Sequence, residues 1–294
     1  MHLRDILAQG APSVSFEFFP PKSDGAAHEL HAAAEQLRPL APSFISVTYG
    51  AGGSTRDRTR DLVLRLHAQG WVTIIPHLTC VGHSRAEIEE ILATYVQAGI
   101  QNVLALRGDV PTGAPPALGA FRYAGELVAF VRKLFPGLGI GVAGYPEGHP
   151  ETLDRLADVD NLKRKVDAGA DAVITQLFFD NRDFYDFRER CELAGVSVPI
   201  VAGIMPIQTL SGARRMAGLC GARLPAPLLR AIRRAQDDPQ AVAHVGAHWA
   251  TEQCRDLLDH QVRGIHLFTL NRSDATRRIY ESLGVRSSAA LRTV

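Results

Sequence analysis

The chain has 294 residues, 46% hydrophobic and 21% charged, with 26 Gly and 17 Pro, a composition that excludes a mostly disordered or collagen-like chain. The length suits one large α/β domain or two small ones. A formal charge of +1, from 32 basic and 31 acidic residues, argues against a global nucleic-acid footprint.

Short apolar runs alternate with longer amphipathic stretches along the chain. The runs are Val14–Phe19, Phe44–Thr48, Thr73–Leu78, Asn102–Leu106, Gly139–Ala143, Ala172–Leu177, Pro199–Ala202 and Gly264–Phe268, eight candidate strands. Helical patterns lie between them, for example Ala26–Leu37, Thr55–Gln69 and Ser84–Ala98. Ser84 with Glu87 three residues on forms a capping box, and Gly99 stops that helix. The interval Ile204–Arg263 is too long for one crossover and predicts two or three helices, among them Pro227–Ala235 and Gln240–His260. Strands alternating with helices imply a parallel sheet, and eight units fit a closed (β/α)8 TIM barrel with extra helices between strands seven and eight. No linker or repeat divides the chain, so 1–294 is taken as one catalytic domain. Pro111–Ala120 is expected to be a mobile loop within that order.

Several motifs fail on physical grounds. Gly139–Gly144 matches G-x-G-x-x-G, but its glycines lie inside a strand run and Tyr145-Pro146 follows where a helix should open. Gly50–Thr55 lacks the ending of a P-loop and is a turn that could hold an anion. His244 and His248 are four apart without a third ligand, which fits solvated helix histidines, and no metal site is expected. Cys80, Cys191, Cys220 and Cys254 form no C-x-x-C pair, so a reducing compartment is the expectation. No signal-peptide core opens the chain, and no uncharged apolar run reaches the ~20 residues that span a bilayer. A cytoplasmic protein without membrane or nucleic-acid partners is expected.

Active sites of barrels form where strands end. Glu17 lies within Phe16-Glu17-Phe18-Phe19, a costly setting for an ionised carboxylate. A solvated edge position is the alternative, but a barrel has no edge and helices cover its outside, so an inward Glu17 is favoured. Desolvation should then raise its pKa and suit it to general-acid work. The second run ends at Thr48-Tyr49, the third at His77, and the fourth runs into Arg107-Gly108-Asp109. Tyr145 and His149 follow the fifth, Gln176 the sixth, and Thr269 and Arg272 the eighth. Singly, each has a structural explanation: a core imidazole, a plain ion pair, a packing ring. Polar groups at one end of seven of eight strands point to a large pocket. Asn161–Lys165 is placed at a helix start, with Asp158 upstream, where a phosphate contact is possible.

At these residues the sequence resembles the methylenetetrahydrofolate reductase family in its short bacterial form. The matching segments are SFEFFPPK (Ser15–Lys22), SVTYGAGGSTRDRT (Ser46–Thr59), PHLTC (Pro76–Cys80), ALRGD (Ala105–Asp109), YPEGHPE (Tyr145–Glu151), NLKRKVDAGAD (Asn161–Asp171), ITQLFFD (Ile174–Asp180) and HLFTLNR (His266–Arg272). The resemblance implies a barrel holding FAD. It implies ping-pong reduction of 5,10-methylenetetrahydrofolate to 5-methyltetrahydrofolate by NADH or NADPH, supplying methyl groups for methionine. Bacterial members of the family suggest a homo-oligomer.

The same resemblance distributes roles. Glu17 matches the general acid that protonates N10 and opens the five-membered ring. Asp109 matches a residue beside flavin and pterin that tunes the flavin and favours the cationic intermediate. Gln176 and Arg272 match folate contacts, Thr48 and Gln176 nicotinamide contacts. Tyr49, His77, Arg107, Gly108, Ala124, Tyr145, His149, Asp158, Asn161, Arg164 and Lys165 match FAD contacts. Gly212 and Met216 stand where the family commonly presents Gln and Phe to the substrate. The regulatory C-terminal domain of the eukaryotic enzymes has no counterpart in this length. Two other functions compete: a barrel lyase with Lys165 as Schiff-base amine, disfavoured because Lys165 is not placed at a strand end, and a non-catalytic flavin- or folate-binding protein, disfavoured by the presence of Glu17 and Asp109.

Overall fold

The computed structural model describes residues 1–49, 56–108, 119–152 and 154–293. Every apolar run forms a strand: β1 (Ser13–Phe18), β2 (Phe44–Val47), β3 (Thr73–Thr79), β4 (Asn102–Leu106), β5 (Gly139–Gly144), β6 (Ala172–Thr175), β7 (Ile200–Ile204) and β8 (Gly264–Phe268). They pair in parallel in chain order, and β8 closes on β1, giving the (β/α)8 barrel that the alternation implied. The glycines of the G-x-G-x-x-G match lie within β5, as expected from their context.

Alternation along each strand divides the molecule into two apolar regions. Val14, Phe16 and Phe18 face the helix layer with Ile45, Val47, Val103, Val142 and Leu267. Phe44, Ile75, Leu104, Ala172, Ile174 and Val201 fill the barrel interior. The interior changes character along its axis. Its N-terminal end is apolar, and its C-terminal half takes Glu17, Ser46, His77 and His266, all buried.

Helices cover the outside: α2 (Asp24–Leu37), α3 (Arg56–Ala68), α4 (Arg85–Gln97), α5 (Ala124–Leu134), α6 (Arg155–Asp167) and α7 (Asn181–Leu193). The capping box of α4 is present, with Ser84 accepting from Glu87 N and the Glu87 carboxylate accepting from Ser84 N, and Gly99 follows at φ +89°. Three helices fill the long interval before β8: α8 (Leu210–Cys220), α9 (Ala226–Arg234) and α10 (Pro239–Asp259); α11 (Asp274–Ser282) follows β8. At Gly246, α10 rests directly on the chain leaving β7, and a Cβ there would be driven into the Ile207 carbonyl.

A short helix that the sequence pattern did not reveal, α1 (Leu3–Leu7), plugs the N-terminal end of the barrel. Leu3, Ile6 and Leu7 enter the interior cluster, and Leu3 N donates to the Asn102 side chain at 2.5 Å. Asp171, almost fully buried, accepts from Arg4, Arg132 and Ile140 N and ties the plug to the strands. Among the described residues no helix is long and apolar enough to cross a membrane, and all four cysteines are buried free thiols.

Candidate active site

Glu17 points into the barrel near its C-terminal mouth, as the absence of a sheet edge required. Its Oε2 lies 3.3 Å from His266 Nε2 on β8 and 3.3 Å from His77 Nε2 on β3. Ser46 Oγ on β2 donates to the same oxygen at 3.3 Å. The register explains the meeting: Glu17 is paired with Ser46, and Ser15, one inward position earlier, with His266. Behind the carboxyl, Thr269 Oγ1 donates to Glu17 O at 2.5 Å, and Asn271 exchanges hydrogen bonds with both backbone groups of Phe19. The exit from β1 is thus clamped to the loop after β8.

The charge of Glu17 departs from expectation. Burial does raise its pKa and is the largest single influence, but the hydrogen-bond contact with His266 and the close approach of both imidazoles, His266 and His77, act together against it and win. The carboxyl is pulled down from 4.5 to about 2. The three flanking phenylalanines suggested a protonated acid, but the side chain that matters is not beside them. Phe16 and Phe18 face outward, while Glu17 meets two imidazoles across the barrel. The carboxyl is held as a carboxylate, with the imidazoles as its counter-groups.

Around the rim the strand ends bring together most of the remaining residues. Tyr49 follows β2 and its hydroxyl lies 3.1 Å from His83 Nε2. Arg107, after β4, makes a two-pronged bond to the Glu151 carboxylate at 2.6 and 2.7 Å. Gly108 has φ +86°, and a Cβ there would sit 2.9 Å from Thr79 Cβ, so only glycine suits this turn. Tyr145 and His149 pack edge to face, their centroids 4.6 Å apart. Burial, then the charge of Arg107, lowers the pKa of His149 and keeps it neutral at pH 7. Ala124 opens α5. Gln176 directly follows β6 and its side chain accepts from Leu177 N. Thr48 N donates to Phe18 O at 2.9 Å at the end of β2. Arg272 is exposed after β8, with no side-chain partner among the described residues.

The basic run Asn161–Lys165 does not open its helix. Asp154 caps α6 by accepting from Leu156 N, so the run lies in the second half of the helix. Lys165 nevertheless reaches the barrel: its Nζ donates to Ala143 O on β5 at 2.6 Å. Burial lowers its pKa to about 8, with Asp158 partly offsetting the shift, and burial in turn raises the pKa of Asp158. Lys165 therefore does meet a strand end, against the sequence expectation, but its ammonium is committed to a backbone carbonyl. Asn161 and Arg164 are exposed on the same helix and bonded to each other at 3.1 Å.

Asp109, and the segments 50–55 and 111–118, lie outside the described residues. On α8, Gly212 N donates to the capping Thr209 hydroxyl at 3.0 Å, and Met216 packs with Leu177 and Phe179. His244 and His248 are exposed, and the described residues hold no cluster suited to a metal ion. A cleft of about 450 Å³ opens at the other end of the barrel, beside Met1, Ser43, Trp71 and Gln101. It lies away from the Glu17 cluster, and His67 is the titratable side chain among its lining. Sequence inspection passed over Ser15, Ser46 and His266. Their signal was the period of two: with Glu17 inward, Ser15 shares its face, and register brings in the others.

The family model described as Methylenetetrahydrofolate reductase matches residues 2–284. The protein named 5,10-methylenetetrahydrofolate reductase from Escherichia coli (strain K12) is 39% identical over 279 residues, 95% of this chain and 93% of its own length. The Arabidopsis thaliana protein named Methylenetetrahydrofolate reductase (NADH) 1 is 40% identical over 296 residues, 96% of this chain and 50% of its own, so the chain spans about half the length of that relative. A solved structure of an uncharacterized protein from Clostridium thermocellum, described as binding two copies of 5-methyl-5,6,7,8-tetrahydrofolic acid, shares the fold at a TM-score of 0.67 and 15% identity, covering 98% of this chain and 96% of that one. The chain belongs to the methylenetetrahydrofolate reductase family.

Proposed function

We propose that the chain, with 1–294 as one catalytic unit, is a flavin-dependent reductase that converts 5,10-methylenetetrahydrofolate to 5-methyltetrahydrofolate with NADH or NADPH as donor. The observation that carries this is Glu17, an inward carboxyl at the C-terminal mouth with two imidazoles on it, in a chain of this family. The residues present suit FAD. His77 Nε2 is buried at ion-pair distance from Glu17 but without an aligned hydrogen bond. Gly108 keeps the exit of β4 clear of a side chain, and Arg107, Arg164 and Lys165 bring positive charge for a pyrophosphate. FAD would be held by Tyr49, His77, Arg107, Gly108, Ala124, Tyr145, His149, Asp158, Asn161, Arg164 and Lys165, together with Asp109, and when bound it supplies the two electrons.

The chain's own part is a proton transfer. Glu17 delivers a proton to N10 of the folate. The bond from N10 to the bridging carbon breaks, its electron pair staying on N10, and N5 forms a C=N⁺ bond to that carbon. The carboxylate left on Glu17 faces His266 and His77, so its charge is not stranded in the barrel. Asp109 offers negative charge to the cationic substrate. Thr48 and Gln176 orient the nicotinamide, and Gln176 and Arg272 the folate, Arg272 through the carboxylate of its glutamate.

Absorption spectroscopy of the purified protein tests the proposal. Flavin bands that bleach with NADH or NADPH and recover on adding methylenetetrahydrofolate are expected. A colourless protein that takes up no FAD, or a reduced flavin indifferent to folate, would contradict it.

A further inference from the structure

The groups behind Glu17 can hold a proton in more than one place. Ser15 Oγ lies 2.7 Å from His266 Nδ1 and 3.4 Å from Ile265 O. Its hydroxyl can donate to Nδ1, or accept from Nδ1–H while donating to the carbonyl. Ser46 Oγ lies 3.2 Å from His266 Nε2 and 3.3 Å from Glu17 Oε2, and offers the same choice at the other nitrogen. Both ring nitrogens therefore keep a partner whether the imidazole is neutral or protonated. A histidine that only filled space would be served by one fixed tautomer. Rotatable hydroxyls on both sides suit a ring that changes state. The ring is fully buried, stacked on Phe44 at 5.9 Å and edge-on to Phe268 at 5.4 Å, so its exchange partner is Glu17 and not bulk water. The hydrogen bonds and ion pairs of the Glu17 side chain run to Oε2, and Oε1 has no hydrogen-bond partner among the described residues.

We propose that His266 is the positioning residue that holds the site's proton for Glu17: one proton is shared between His266 Nε2 and the carboxyl, and the loaded pair passes it to the substrate through Glu17. This rests on the reductase reading given above. The loaded pair is either imidazolium beside carboxylate or imidazole beside carboxylic acid. Transfer to N10 leaves a neutral imidazole and a carboxylate, no electrons leave the pair, and solvent returns one proton after product departs. The groups facing the pair are His77 on β3, Ser46 on β2, Ser15 on β1, and the rings of Phe44 and Phe268. The depressed pKa of Glu17 agrees with a proton resting on an imidazole.

The consequence is the pH range over which the site is loaded. Two places for one proton bind it more tightly than the carboxyl alone. If it rests on His266 about ten times as often as on Glu17, the pair stays loaded about one pH unit higher.

The test is a pH series of folate-driven flavin reoxidation in the holoenzyme, comparing the natural chain with His266→Gln. The amide reaches the place of Nε2 and keeps a polar partner for Glu17, but cannot carry the proton. The alkaline inflection is expected to fall by about one unit or more, while the pH profile of flavin reduction by the nicotinamide stays in place. An inflection at the natural position overturns the proposal, even if the rate drops, because a merely structural histidine lowers the rate without moving the profile. Carbon-13 NMR of glutamate-labelled natural protein, with Glu17 assigned by its loss in Glu17→Gln, serves if the histidine variant does not fold. A Glu17 carboxyl that stays ionised across the pH range of full folate-driven reoxidation supports the proposal, because the delivered proton then rests on its partner, and a carboxyl that titrates together with the alkaline inflection of the rate overturns it. A natural holoenzyme whose reduced flavin is indifferent to methylenetetrahydrofolate would defeat the reductase reading itself, and continued folate turnover by Glu17→Gln would remove Glu17 as the proton donor and overturn this inference with it. Folate turnover by the natural chain, its loss in Glu17→Gln and an unmoved His266→Gln profile would together defeat this inference alone.

Discussion

Burial alone would raise the pKa of Glu17; two imidazoles across the barrel reverse the direction. Removing a carboxylate from water costs several kcal/mol, and only close, well-placed counter-groups offset that. His77 and His266, each 3.3 Å from Oε2, are such groups. The ionisation of Glu17 is therefore a property of a cluster, not of one side chain in an apolar pocket. At the same scale, Asp109→Asn should slow folate reduction by about tenfold or more while FAD stays bound, since it removes charge from the cationic substrate. Rapid-mixing kinetics of both half-reactions measure this, and unchanged folate kinetics would take Asp109 out of the mechanism. Glu17 was legible in the sequence because a carboxylate among three phenylalanines is costly anywhere in a barrel except its interior. The direction of its pKa was not legible, because His77 and His266 are 60 and 249 residues away and only strand register brings them to it.

Elements carried most of the fold in their period. Runs of four to six mostly apolar residues bounded by turns became strands within a residue or two, since each is buried on both faces in a parallel barrel. Two elements were hidden for physical reasons. Helix α1 has five residues, too few to display a helical period, and is stable only because Leu3, Ile6 and Leu7 enter the barrel. Helix α6 begins earlier than its basic run suggested, because Asp154 supplies the cap. The packing of α10 on the exit of β7 depends on Gly246. Gly246→Ala should destabilise the fold by about 1–3 kcal/mol through overpacking, despite alanine's better helix propensity. Urea unfolding measures this, and a stabilised variant would show that α10 sits further from Ile207.

The two ends of the barrel do different work. Strands deliver polar side chains at the C-terminal end, where a substrate can reach them, and α1 with Asp171 seals the N-terminal end. Chain order, closure and the polar end were readable from alternating runs. Of the segments that carry the resemblance, SFEFFPPK leaves β1 and HLFTLNR leaves β8 at this same end, where the Glu17 cluster lies. The most direct measurement is rapid-mixing kinetics of Glu17→Gln in its two half-reactions. Flavin reduction by the nicotinamide should proceed at the natural rate, while folate-driven reoxidation falls by about a hundredfold or more. Equal losses in both, or retained folate reduction, would contradict Glu17 as the group that delivers the proton.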